Sequence, residues 1–210
     1  FILVSLFNTN FIEKVLNKIT NHLYWFPFNK LQYVPEKSTS FIINTNWLLY
    51  CENYLEGLHI PYIHKKLHSQ INMKTYKVEN YDGYVLQTVE SKKKKHSFYK
   101  LKKDNNQYGY YYFIFPNTML NFYPWGLSVN IIIPENKNKT KIIYHEFIIE
   151  NYKNMIDDVY VVEEEDQNAI LSVGQGMKSN FFNNINLLSL EEKGILHFHK
   201  YLHNKLDSSF

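Results

Sequence analysis

His59 and His64 stand five positions apart in the segment Glu52-Asn53-Tyr54-Leu55-Glu56-Gly57-Leu58-His59-Ile60-Pro61-Tyr62-Ile63-His64. Neutral imidazole nitrogens are good ligands for first-row transition metals. On an unbroken helix the two rings would diverge by about 140°. Pro61 breaks the helix between them, so both rings can turn toward one point. Glu56 lies one turn before His59, on the same helical face. A carboxylate must come from elsewhere, and the acidic run Glu163-Glu164-Glu165-Asp166 offers one. Two imidazoles and one carboxylate on one face of an iron leave positions open for dioxygen and a substrate. Each piece also has a plainer account when read alone. A His-x4-His pair is more often two unrelated histidines, and an acidic run on a helix is usually a solvated face.

The elements that must position these residues follow from periodicity and turn chemistry. Residues 1–7 read as a strand and Phe11 to Leu23 as a helix, with Phe11, Ile12, Val15, Leu16 and Ile19 at helical spacing. Residues 24–38 read as irregular, Ser40 to Thr45 as a short strand, and Trp47 to Leu58 as a helix that carries the first half of the histidine segment. Asp82-Gly83 marks a hairpin within Thr75 to Ser91. Three or four further strands follow, over Tyr108 to Phe115, Thr118 to Tyr123, Leu127 to Ile133 and Lys139 to Glu150. Breaks at Pro116-Asn117, Pro124-Trp125-Gly126 and Pro134-Glu135-Asn136 separate them. A long helix is expected from Asn151 to about Asn180, and a last one over Gly194 to Leu206. Helices flanking a run of antiparallel strands make an α+β layout, with room for a small ligand between helix and sheet. Met119, Asn121 and Tyr123 alternate along one strand face, where they line either that cavity or a plain core.

Composition narrows the function classes. The chain has 210 residues, a formal charge of +3, and no arginine among its 23 basic residues. A weak positive charge without guanidinium forks argues against a nucleic-acid partner. The run Lys92 to Lys95 with Lys100, Lys102 and Lys103 reads as a solvated loop between strands. Cys51 is the one cysteine, which excludes an internal disulfide and any cysteine-held cluster within the chain. A reducing cytoplasm fits. Phe1 to Phe7 is apolar but too short to span a bilayer, so no membrane partner is expected.

Asn46-Trp47, then Glu52-Asn53-Tyr54-Leu55-Glu56-Gly57-Leu58-His59 and His64, resembles the iron motif of Rieske-type non-haem iron oxygenase α subunits. That motif runs roughly Asn-Trp-Lys, then Glu-Asn, an acid, and His-x4-His. The stretch Phe115 to Gly126 (FPNTMLNFYPWG) resembles the central strands of the choline monooxygenase-like branch. Glu165-Asp166-Gln167, Ser172-Val173, Gln175-Gly176-Met177-Lys178-Ser179 and His197-Phe198-His199 resemble the end of the same domain. The pieces are colinear over roughly residues 1–206. Leu48 departs from the family's Lys, Gly174 from its Gln, and Glu56 takes a position where many relatives carry Asp.

The resemblance implies a helix-grip fold, a curved antiparallel sheet around a long C-terminal helix. It implies Fe(II) held by His59, His64 and Asp166, with Glu56 as the bridging carboxylate and Asn53 in the same network. It also implies O2 and a small organic substrate beside the iron, with Asn53, Met119, Asn121 and Tyr123 as candidate substrate contacts. The further expectations are a homotrimer, a ferredoxin or flavin reductase partner, and electrons from a 2Fe-2S Rieske cluster. No Cys-x-His…Cys-x-x-His pattern occurs in this sequence. Residues 1–8 therefore read as the last strand of a Rieske domain missing from these residues, and 9–210 as the mononuclear iron domain. The rival readings are a non-catalytic ligand carrier of the same fold, and a truncated subunit that binds iron without turnover.

Overall fold

The computed structural model describes residues 10–149, 157–180, 182 and 186–207. The expected strand over 1–7, the boundary at residue 8 and the first residues of the expected helix from Asn151 lie outside them.

Eight strands form one antiparallel sheet: β1 (Leu31–Tyr33), β2 (Thr39–Ile43), β3 (Ile71–Tyr81), β4 (Tyr84–Ser91), β5 (Gln107–Ile114), β6 (Thr118–Tyr123), β7 (Gly126–Asn136) and β8 (Lys139–Ile149). Their order is β1-β8-β7-β6-β5-β4-β3, and β2 continues the β1 edge by pairing with the first half of β8. The β3–β4 turn is Asp82-Gly83, as its sequence requires. Gly83 has φ +83°, and a Cβ there would also run into the Phe11 ring. Register shifts between β3 and β4, β4 and β5, and β7 and β8 bend the strands.

Period-2 alternation sends side chains to two distinct cores. On the outer face Tyr84, Leu86, Tyr110, Tyr112, Leu120 and Phe122 pack against helix α1 (Phe11–His22) through Val15 and Ile19. On the inner face Val85, Phe113, Met119, Ile132, Ile142 and Tyr144 meet three helices. These are α2 (Trp47–Tyr54), α5 (Asp157–Gly176) and α6 (Lys193–Asp207). The expected α+β helix-grip layout is present, with the inner face filled by three helices rather than one.

Two short helices, α3 (Ile60–Ile63) and α4 (Lys65–Gln70), follow α2. The Asn46 side chain caps α2 by accepting from Leu48 N at 2.9 Å. The helix then ends at Tyr54, four residues before the expected end at Leu58, and Pro61 opens α3. Strand β1 falls in the stretch read as irregular. Its three residues are too few for alternation to show, and pairing with β8 makes it a strand.

Candidate metal centre

The break between α2 and α3 sets the two histidines. Glu56 follows the end of α2 and turns its carboxylate forward onto the segment that leads into α3, accepting from Leu58 N and from His59 N at 3.3 Å. Its other oxygen accepts from His59 Nδ1. His64 lies at the junction of α3 and α4, with its side chain 1% exposed. The two rings stand 5.0 Å apart, nearly perpendicular.

The third group comes from α5. Glu163, Asp166 and Ile170 share one face of this helix at i, i+3 and i+7 spacing, with Ile170 buried in the inner core. Asp166 Oδ1 lies 3.0 Å from His64 Nε2 and 3.5 Å from His59 Nε2. One nitrogen of each histidine and one oxygen of Asp166 lie within 4.8 Å of one another. Among the described residues, no other set of three His, Cys, Asp or Glu side chains is close enough to share an ion.

The donor set fits a metal. Bonds of about 2.1 Å at right angles put two ligand atoms about 3 Å apart, close to both separations from Asp166. The histidine tautomers agree with this. His59 Nδ1 is engaged by Glu56, and His64 Nδ1 lies 2.7 Å from Glu165 Oε2. Each Nδ1–H thus has a carboxylate to donate to, and each Nε2 is turned toward Asp166 with its lone pair available. Asn53 Nδ2 donates to Asp166 Oδ1 at 2.7 Å and fixes that carboxylate in turn. Burial works against charge on His64. The carboxylates beside it, Asp166 foremost, outweigh burial and hold the imidazole above its ordinary range.

These groups border a cavity of about 320 Å³ between the inner sheet face, α4 and α5. Asn121 and Tyr123 stand on its wall, whereas Met119 is fully buried in the inner core. Asn121 Oδ1 accepts from Tyr54 OH at 2.6 Å. Tyr123 stacks on Trp125 at 4.8 Å and meets the edges of Tyr111 and Tyr108 at 5.7 and 6.5 Å. Burial pushes the Tyr54, Tyr111 and Tyr123 hydroxyls well above the ordinary phenol range, so these rings are neutral at pH 7.

Glu163 lies deeper along the same helix face. It accepts from Tyr50 OH at 2.8 Å and from Tyr144 OH. Burial, with the Asp166 charge second, pushes its carboxyl up to about 7. Sequence reasoning assigned no role to Glu163, to Glu165 as the support of His64, or to Tyr50 and Tyr144. The i, i+3 spacing from Asp166 was a usable signal for Glu163, but a phenol pair contributed by α2 and β8 has no local signature. The lysine loop between β4 and β5 is exposed as expected, yet Lys95 and Lys100 also border the cavity.

Similarity to known proteins agrees with this geometry. The chloroplastic choline monooxygenase of Arabidopsis thaliana is 30% identical over 179 residues, 79% of this chain and 40% of that protein. That of Beta vulgaris is 29% identical over 180 residues, 80% of this chain and 39% of that protein. The chain thus spans about two fifths of the length of these relatives. Among solved structures, the quaternary ammonium Rieske monooxygenase CntA superposes with a TM-score of 0.75 at 18% identity, over 94% of this chain and 56% of that one. Naphthalene 1,2-dioxygenase from Rhodococcus sp. gives 0.70 at 12% identity, over 92% and 61%. Residues 28–208 match the model of one domain family. The chain belongs to the ring hydroxylating alpha subunit (catalytic domain) family.

Proposed function

We propose that this chain is the catalytic domain of a Rieske-type oxygenase that hydroxylates or oxidatively demethylates a small quaternary ammonium compound. One observation carries the reading. Two Nε2 atoms and one Asp166 oxygen converge at the wall of an aromatic cavity, and each imidazole is oriented from behind by a carboxylate.

In this reading His59, His64 and Asp166 hold ferrous iron, which when bound activates O2 beside the substrate. The chain's own part is positional. Glu56 and Glu165 fix the two imidazoles, and Asn53 fixes Asp166. Tyr108, Tyr111, Tyr123 and Trp125 present ring faces and edges to one side of the cavity, a surface suited to a quaternary ammonium group. The relatives named for choline and for quaternary ammonium oxidation favour the same substrate class.

Electrons then come from a 2Fe-2S Rieske cluster outside these residues, since one cysteine cannot hold it. A ferredoxin or flavin reductase feeds that cluster. In a homotrimer a neighbouring subunit would bring it beside Glu56. No described helix is long and apolar enough to cross a membrane. A reducing compartment suits the buried Cys51, whether the cytoplasm or, as for the plant relatives, a chloroplast.

The test is O2 consumption coupled to product formation, with the iron-loaded protein supplied with a Rieske protein, a reductase and trimethylammonium substrates. Coupled turnover that disappears in His64→Ala supports the reading. Iron binding without turnover would favour the truncated subunit. Ligand binding that needs no iron and survives His59→Ala would favour the carrier.

A further inference from the structure

The loop between β4 and β5 carries seven lysines, at Lys92 to Lys95, Lys100, Lys102 and Lys103, and no acid before Asp104. All seven are exposed. They exceed the formal charge of +3 on the whole chain, so the rest of the molecule is net negative and the charge is polarised. The loop is built rather than loose. Ser97 Oγ donates to Lys94 O at 2.8 Å and accepts from Tyr99 N at 3.3 Å. Phe98 is buried in the outer core, where the Trp25 ring meets it edge-on at 5.2 Å. Aromatic rings stand among the lysines. Lys94 Nζ lies 4.5 Å over the Tyr99 ring, and Lys102 Nζ lies 5.5 Å from both the Tyr24 and the Trp25 rings. Tyr24 is 76% exposed. Lys92 Nζ donates to His68 O at 2.8 Å, and no lysine of the loop has a carboxylate partner among the described residues.

We propose that this loop, together with Tyr24 and Trp25, is a docking surface for an anionic phospholipid bilayer. Lysines close to a bilayer are drawn to its anionic headgroups, each adding about five-fold in affinity. Tyrosine and tryptophan settle at the headgroup level, where the ring meets acyl chains and the polar tip meets water. Both features occur here on one folded surface. The chemistry of lysine also separates a bilayer from an acidic protein. Protein interfaces favour arginine, whose planar fork matches single carboxylates, and are depleted in lysine. A bilayer presents many diffuse charges, which compact ammonium groups neutralise without a fixed geometry. Lying on a bilayer, unlike crossing one, needs no long apolar segment. The association is reversible and salt-sensitive. None of it requires an ion at His59, His64 and Asp166.

The test is co-sedimentation of the full chain with two kinds of vesicle, phosphatidylcholine alone and phosphatidylcholine with about one phosphatidylserine in three lipids. Binding to the anionic vesicles is expected to be at least about ten-fold tighter and to fade at about 0.5 M salt. K93Q/K103Q removes two exposed lysines that do not border the cavity. It should weaken binding about 10- to 30-fold, and Tyr24→Ala should weaken it several-fold. K137Q/K200Q takes the same charge from the β7–β8 turn and from α6, and should change binding by less than about two-fold. Far-ultraviolet circular dichroism checks that the variants fold. Iron-loaded and iron-free protein should bind alike, so failure here leaves the metal reading standing. Equal affinity for the two kinds of vesicle, or equal weakening in K137Q/K200Q, overturns the proposal. Unchanged binding in Tyr24→Ala overturns the aromatic part of the surface. Capture by immobilised polyglutamate without binding to anionic vesicles also overturns the bilayer, and would assign the loop to an acidic protein instead.

Discussion

An imidazole binds a metal well only when its second nitrogen is occupied, because the partner fixes both tautomer and ring plane. His64 meets that condition through Glu165, whose side chain is 35% exposed and whose Oε2 lies 2.7 Å from His64 Nδ1. Glu165→Gln keeps the shape but weakens the acceptor. It should lower Fe(II) affinity about 10- to 100-fold with the far-ultraviolet spectrum unchanged, as a competition titration against a chelator would show. Glu146 raises a different matter. It lies on the inner face of β8 opposite Ser128, fully buried, and its carboxyl oxygens have no hydrogen-bond partner among the described residues. Burial pushes its carboxyl up to about 8, with Ser128 opposing the shift and the Glu163 charge adding to it. The folded state therefore holds this proton more tightly than the unfolded chain, whose carboxyl titrates near 4.5. The stabilisation is fully present below about pH 4.5 and is lost as pH rises through about 8. Glu146→Gln removes the ionisation. Between pH 5 and pH 9 the wild-type Tm should fall relative to that of the variant.

The elements hold these side chains through close packing as much as through hydrogen bonds. Gly194, near the start of α6, lies against the end of α2, where an added Cβ would come within 2.6 Å of Leu55 O. A backbone oxygen cannot rotate away, so Gly194→Ala must move one helix against the other. We expect it to cost about 1–3 kcal/mol in a chemical denaturation experiment and to weaken iron binding, because Leu55 directly precedes Glu56. The same junction shows what the sequence could and could not reveal. Pro61 marked the break between the histidines, and Asp82-Gly83 marked the hairpin, because both act through local backbone chemistry. The end of α2 at Tyr54 was not legible, because Glu56 takes the next N–H groups, Leu58 N and His59 N, onto its own side chain and so keeps them from extending the helix. Strand β1 was hidden for a related reason, since its partner lies more than a hundred residues away in β8.

At the scale of the molecule, one sheet separates an aromatic core under α1 from a cavity-bearing face under α2, α5 and α6. The alternation of Met119, Asn121 and Tyr123 placed all three on that inner face. It could not tell which positions the helices cover, and Met119 lies under them while its two neighbours reach the cavity. His59, His64 and Asp166 join the α2–α3 segment to α5 across more than a hundred residues of sequence. An ion held there ties α5 to the rest of the fold, and binding to the folded state alone stabilises it by mass action. Fe(II) at 100 times its Kd should add about 2.7 kcal/mol, which raises Tm by roughly 5–10 °C for a chain of this length. A chelator should reverse the rise in differential scanning calorimetry.

The convergence of His59, His64 and Asp166 on one ion is tested most directly by X-ray absorption at the iron edge of the loaded protein, compared with Asp166→Ala. One iron per chain, with two imidazole nitrogens and a carboxylate oxygen in its shell, and loss of stoichiometric iron in the variant, is the predicted result. Iron bound with an unchanged ligand shell in Asp166→Ala, or no stoichiometric iron in the wild type, would contradict it.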